Sequence, residues 1–218
     1  MNILILGPQG SGKGTQGRLL ANSFGFFYLE SGRFLREIAF KNEKLRHLLA
    51  EGKLVPDEEM SSYISSYLDS KGIYDNIIFE GFPRTLPQYS FFKSWLKDKN
   101  VVLNIALVLQ VSEEETMRRL SARRMDPSSG KIYNLLTDKP PANIDPDSLV
   151  QREDDKPMAI KKRLAWYKGE VEPLISELKR EITLVEIDGE RPIGLIHDDL
   201  VGILEEKGAK LIDKLPTD

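Results

Sequence analysis

Two hydrophobic rhythms take turns along this chain, short apolar runs of strand length and stretches with apolar residues on one helical side. Asn2–Leu6 is the first run. Gln16–Phe24 follows as a helix with Leu19 and Leu20 on its inner side. Phe26–Leu29 predicts a second strand. Ser31 is expected to cap a helix carrying Leu35, Ile38 and Ala39 on one side. Glu43–Leu49 predicts a short helix ending at Gly52, and Pro56 with Asp57 starts another that runs to Ser70. Asn76–Glu80 is an apolar run closing on an acid, which suits a buried parallel strand whose carboxyl end meets a ligand. Gly81-Phe82-Pro83-Arg84 then turns the chain into a helix beginning near Leu86, and Pro83 is a candidate cis proline aiming Arg84. Val101–Gln110 predicts the longest strand. Ser112 caps the next helix, with Glu113, Glu114 and Glu115 in the first turn, where the helix dipole favours acids.

From Met125 to Asp155 the rhythm stops, and Pro127, Gly130, Pro140 and Pro141 punctuate a polar stretch. So long a structureless loop is unusual inside a compact domain, so a small inserted lobe or lid is expected, with β-like pieces around Lys131–Tyr133. A long helix then carries Leu164, Tyr167, Val171, Leu174 and Leu178, bent at Pro173. Ile182–Ile187 is the last strand, and Pro192 opens the last helix. Gly208–Asp218 is expected to fray or dock weakly. Strands alternating with helices predict a parallel sheet with helices on both faces and ligands at its carboxyl edge.

Composition narrows the chemistry. The 218 residues provide ample core for one domain with inserts, and a net charge of −3 gives no global field towards nucleic acid or an anionic membrane. The absence of cysteine removes disulfides, thiol catalysis and a cysteine zinc site. His47 and His197 lie far apart and suggest no acid–base constellation. Met1-Asn2 leads straight into the first strand, so neither a signal peptide nor a membrane span is expected, and a cytoplasmic enzyme is.

The strongest chemical signal is Gly7–Thr15, Gly-Pro-Gln-Gly-Ser-Gly-Lys-Gly-Thr, between a strand and a helix. Glycines let successive backbone N–H groups converge on one centre, and the helix N-terminus adds partial positive charge there. Lys13 adds a full charge, and Thr15 a hydroxyl able to face a magnesium ion or an α-phosphate. The usual pattern has Ser or Thr directly after the lysine, whereas here Gly14 intervenes.

With this loop, further motifs resemble the nucleoside monophosphate kinases, and within them the adenylate kinases. They are Ser31-Gly32 with Arg36, Gly52-Lys53-Leu54-Val55, Gly81-Phe82-Pro83-Arg84 with Gln88, and Arg119 with Arg123-Arg124. Ser129–Tyr133, Arg152 with Asp154-Asp155, Arg163, and Asp188-Gly189 complete the set, which falls in family order from Met1 to about Glu206. The resemblance implies an α/β fold, a P-loop NTPase-type parallel five-stranded sheet with helices on both faces. Its core would be residues 1–29, 56–121 and 156–218, with an AMP-binding lobe at 30–55 and an inserted lid at 122–155. It also implies the reaction, Mg-ATP plus AMP giving two ADP, reversibly, in a protein expected to be a monomer.

The implied roles follow. Gly10, Ser11, Gly12, Lys13, Gly14 and Thr15 would cradle the ATP phosphates, Arg119 would lie against the ATP adenine, and Ile132, Tyr133 and Arg191 would complete that pocket. Ser31, Arg36, the backbone of Lys53, Leu54 and Val55, then Gly81, Phe82, Pro83, Arg84 and Gln88 would hold AMP. Arg123, Arg152 and Arg163 would converge on the transferring phosphate; Lys13 and Arg84 complete the catalytic set. This reaction needs no general base, because the attacking phosphate oxygen is already ionised, but it needs positive charge to bring two polyanions together. Arginine suits that task, since its planar fork binds two phosphate oxygens at once.

The chain also departs from the family. Glu80 stands where the family usually has aspartate, and Ser31-Gly32-Arg33 where it has Thr-Gly-Asp. Both acidic positions belong to the region that orders water around magnesium, so an altered magnesium dependence is expected, with Glu80 a possible outer-shell contact. Some relatives hold the lid with cysteines and zinc; without cysteine, polar contacts involving Asp126 and Ser129 are expected instead. The rival readings are a UMP or CMP kinase, which the long insert and Gln88 disfavour, a P-loop ATPase or nucleic-acid motor, and a non-catalytic nucleotide-binding module.

Overall fold

The computed structural model describes residues 1–50, 54–136 and 139–212; for Leu49 and Ala50 it describes the backbone alone. Five parallel strands form the central sheet in the order β2 (Phe27–Glu30), β3 (Ile77–Glu80), β1 (Ile3–Leu6), β4 (Ile105–Gln110), β7 (Thr183–Asp188). Successive side chains on a strand point to opposite faces, and this pattern divides the core. Leu4, Leu6, Ile77, Phe79, Ala106 and Val108 pack against α4 (Asp57–Lys71), α5 (Leu86–Asp98) and α8 (Glu172–Glu181). Ile3, Ile5, Ile78, Ile105, Leu107 and Leu109 face the other way, against α1 (Lys13–Phe24) and α9 (Ile193–Glu206). Both faces of the inner strands are therefore apolar, the composition of a sheet covered on both sides.

Two helices, α2 (Ser31–Ala39) and α3 (Glu43–Ala50), follow β2 as an excursion from the sheet. Asn42 Oδ1 accepts the N–H of Leu45 and so caps the start of α3. The polar insert contains an antiparallel hairpin, β5 (Arg123–Met125) with β6 (Ile132–Asn134), and Val150 bridges to Met125 on its outer side. It lies between α6 (Glu113–Ser121) and α7 (Pro157–Trp166).

Several boundaries differ from the sequence expectation. α1 begins at Lys13 rather than Gln16, directly from Gly12 in the left-handed region at φ 96°. The strand expected from Val101 starts at Ile105, because the N–H of Val101 closes the end of α5 on Leu96 O, and Val102 faces solvent. The cap expected at Ser31 falls on Glu30. Ser31 is the first helical residue, and its hydroxyl donates to Gly81 O at 2.8 Å instead. The bend expected at Pro173 takes the form of a π-helical turn, Tyr167–Val171, just ahead of it, where the proline's missing N–H leaves the regular ladder. The tail is docked as far as Ile212, whose N–H donates to Ser23 O at 2.9 Å. The Gly52 helix end lies outside the described residues.

Candidate active site

The carboxyl ends of the five parallel strands meet at one edge, and each delivers part of the site. β1 runs into the glycine loop, β2 into Ser31, β3 into Gly81–Arg84, β4 into Ser112, and β7 into Gly189. α1 has no acid in its first turn and no side-chain cap. Its leading N–H groups therefore remain available to an anion beside the positive end of the helix dipole. Lys13 Nζ curls back and donates to Gly7 O and Pro8 O, each at 2.7 Å. Burial of its ammonium end lowers its pKa to about 8. The carboxylate of Glu80 opposes that shift, while Arg84, Arg163 and Arg123 add to it.

Arg84 is presented by a turn that only glycine can begin. Gly81 has φ +81°, and a Cβ there would lie 2.4 Å from both Ser31 Oγ and an Arg84 guanidinium nitrogen. The Phe82–Pro83 peptide is cis, as expected. Thr85 caps α5 by accepting the N–H of Gln88, whose side chain is buried. That amide is already engaged on both sides, accepting from the N–H of Arg84 and donating to Asp57. Asp57 carried no role in the sequence beyond starting a helix.

The insert and α7 supply three guanidinium groups with their own anions. Asp155 is fully buried and pairs in bidentate fashion with Arg123, at 2.7 and 2.5 Å. Asp154 bridges Arg152 at 2.8 Å and Arg163 at 2.7 Å. Burial opposes ionisation of Asp154, but Arg163, Arg152 and Arg123 together hold its carboxyl below the usual range. Burial pushes Arg163 down to about 10, against the pull of Asp154; Arg123, Arg152 and Arg84 push it further. Arg36 is lowered by burial and then by Arg152. Arg84, Arg123 and Arg163 thus bear on Lys13, Arg152 on Arg36, and Arg84, Arg123 and Arg152 on Arg163, although these cations come from widely separated parts of the sequence.

Arg119 is held against the glycine loop, donating to Gly10 O at 3.2 Å, to Gly189 O at 2.9 Å and to Glu115 at 2.7 Å. Glu115, expected only as a dipole partner, holds both Arg118 and Arg119, and its carboxyl falls to about 2 as a result. Tyr133 is buried in the hairpin with Lys131 over its ring, and Ile132 is half-buried beside it. Arg191 turns away from the loop to Asp199 on α9, at 2.7 Å. Arg33 pairs with Glu37 along the exposed side of α2. Leu54 is exposed and Val55 packs against the core; Lys53 lies outside the described residues. Asp126 binds Ser128 and Ser129 and orders the hairpin turn, the pairing expected for Asp126 and Ser129. An open groove between Gln110–Ser112 and Glu186–Glu190 borders the loop, but its acids make it a poor seat for phosphate.

Glu80 lies in register with Glu30 on the neighbouring strand, and Tyr28 donates to it at 3.5 Å. Burial, then Glu80 and Glu30, raise the Tyr28 phenol, so it stays a donor. Gly17 makes room for that ring, since a Cβ there would lie 2.5 Å from it.

Comparison with known proteins agrees with this geometry. The family model described as Adenylate kinase matches residues 5–183. The chain is similar to the adenylate kinase of Petrotoga mobilis, 34% identical over 212 residues, covering 94% of this chain and 97% of that one. It is 35% identical over 213 residues to the adenylate kinase of Kosmotoga olearia, covering 94% and 99% of the two chains. That of Pyrococcus furiosus is also 35% identical over 213 residues, covering 94% and 96%.

Proposed function

The chain belongs to the adenylate kinase family, and on that premise we propose how its own residues carry out phosphoryl transfer from Mg-ATP to AMP, giving two ADP. The observation that carries the assignment of roles is that Arg84, Arg123 and Arg163 come close enough to the buried Lys13 of the glycine loop to act on its charge. Gly10 to Thr15 cradle the ATP phosphates through the N–H groups at the start of α1, and Lys13 leaves its carbonyl partners to meet them. Ser31, Arg36, Lys53 to Val55, Gly81 to Arg84 and Gln88 hold AMP. Arg119, Ile132, Tyr133 and Arg191 form the ATP base pocket, Arg191 after parting from Asp199.

Arg123, Arg152 and Arg163 stabilise the charge on the transferring phosphoryl group. Asp154 already occupies a two-arginine cradle, so it serves as the resident anion that phosphate displaces. The attacking oxygen of AMP is ionised near neutral pH, and no side chain has to remove a proton from it. What the chain supplies is alignment, charge and exclusion of water. The division into a core, an AMP-binding lobe at 30–55 and a lid at 122–155 belongs to this reading. The hairpin insert supports it, its two ends being tied together by the Arg123–Asp155 pair.

Magnesium would travel with the nucleotide. The nearby donors, the Thr15 hydroxyl and the Glu80 carboxylate, are all oxygen, which suits a hard cation. Among the described residues no group of three or more His, Cys, Asp or Glu could hold a metal by itself, so phosphates and water would complete the shell. When bound, the ion neutralises phosphate charge. No described helix is long and apolar enough to cross a membrane, and a cytoplasmic monomer binding neither nucleic acid nor membrane accords with the reading.

A coupled assay supplying ATP with AMP, UMP, CMP or GMP in turn tests the reading, and ADP formation with AMP alone is expected. Lys13→Ala or Arg84→Ala should each lower turnover at least ~10²-fold, the scale of a single cationic contact in phosphoryl transfer. Near-normal rates in folded variants would remove these roles.

A further inference from the structure

The Gln88 side chain is gripped from two directions by partners of opposite kind. Its Oε1 accepts the backbone N–H of Arg84 at 2.8 Å, and its Nε2 donates to Oδ1 of Asp57 at 2.7 Å. A backbone N–H only donates, and a carboxylate only accepts. Turning the amide over would set N–H against N–H at Arg84 and oxygen against oxygen at Asp57. The backbone of Gln88 is itself pinned by the Thr85 cap, and Asp57 by the first turn of α4, where its carbonyl accepts Ser61 Oγ at 2.8 Å. The amide therefore has one orientation.

We propose that Asp57 is a positioning residue for base selection: by locking the Gln88 amide it makes the acceptor site take a 6-aminopurine and refuse a 6-oxopurine. This rests on the reading of Gln88 as a contact to the AMP base and deepens it. An amide has two N–H donors and two lone pairs. Arg84 takes one lone pair and Asp57 one N–H, which leaves one of each on neighbouring atoms. A 6-aminopurine offers an N–H donor at C6 beside a ring-nitrogen acceptor, the complement of that pair, as in the bidentate amide–adenine contact. A 6-oxopurine offers an acceptor oxygen at C6 beside an N1–H donor, the reverse order. An amide free to flip could read either base; the carboxylate of Asp57, with the N–H of Arg84, removes the second choice. An acid at position 57 thus acts on selectivity through Gln88, without touching the nucleotide.

The test compares kcat/KM for AMP and for IMP, which differ only at this edge, in the intact protein and in Asp57→Asn and Gln88→Ala. Asparagine keeps the shape but can donate as well as accept, so a flipped amide then opposes only the N–H of Arg84. The AMP-to-IMP ratio should fall about tenfold in Asp57→Asn, the weight of one charge-assisted contact, chiefly through a lower KM for IMP. A merely structural role for Asp57 would lower both values together, and an unchanged ratio overturns the proposal; so does an unmodified protein that uses IMP as well as AMP. Gln88→Ala separates the two layers. If it leaves the KM for AMP unchanged, the base-contact reading itself fails. If it raises that KM while Asp57→Asn keeps the ratio, only the lock fails. Asp57→Ser, which frees the amide by shortening the side chain, gives the same readout should Asp57→Asn not fold.

Discussion

Lys13 shows how far one residue's surroundings can set its chemistry. Its pKa of about 8 lies well under the usual ~10.4, because the ammonium end is buried; Glu80 opposes that shift, and Arg84, Arg163 and Arg123 add to it. The folded protein gives up this proton at lower pH than the unfolded chain does. Between those two pKa values the unfolded state holds more protons, so this group makes stability rise with pH through the window. Polyphosphate restores the charge. ATP binding at about pH 8.5 should therefore take up roughly half a proton or more, and none through this group at about pH 6.5. Calorimetry in buffers of unequal ionisation enthalpy reads the difference, and Lys13→Met should abolish it. Gly81 is the second decisive residue. Gly81→Ala forces a left-handed backbone and a collision with Ser31 and Arg84, so it should cost at least ~1 kcal/mol in urea unfolding and raise the KM for AMP.

Among the elements, the β5–β6 hairpin is the most instructive. Its sequence gave away an insert with β pieces, and Asp126 with Ser129 gave away the turn. Its attachment was not visible. Arg123 opens the hairpin, and the carboxylate that holds it, Asp155, lies 32 positions later in the turn before α7. Removing that charge leaves a half-buried guanidinium without its anion, so Asp155→Asn should lower unfolding stability by ~3 kcal/mol. Thermal denaturation with and without nucleotide would show whether the loss is shared with the core. Helix starts were more legible: the Ser112 hydroxyl caps α6, as its position before three glutamates predicted. Ser31 failed the same rule, because the end of a neighbouring strand offered its hydroxyl a better partner.

At the scale of the whole molecule, strand ends from five separate segments are brought to one edge, and Arg84, Arg123 and Arg152 bear against the charge of Arg163 until an anion offsets them. Asp154 and Asp155 meet part of that need in the protein itself. A bisubstrate mimic, two adenosines joined by a polyphosphate, would engage both halves of the site together. At a free concentration ~1,000 times its Kd it should add ~4 kcal/mol to unfolding stability, measurable as a shift in Tm. Co-crystals should then show Arg123, Arg152 and Arg163 turned onto the phosphates, with Asp154 released.

The alternation of strand and helix, the glycine loop and the inventory of arginines were all present in local order, because periodicity, capping and backbone freedom act between near neighbours in the chain. Their long-range partners were not. That Asp57 faces Gln88, Asp155 faces Arg123 and Glu80 acts on Lys13 depends on which strand ends become adjacent. Charges and hydrogen bonds act through space, and only the packed sheet brings those distant groups within range.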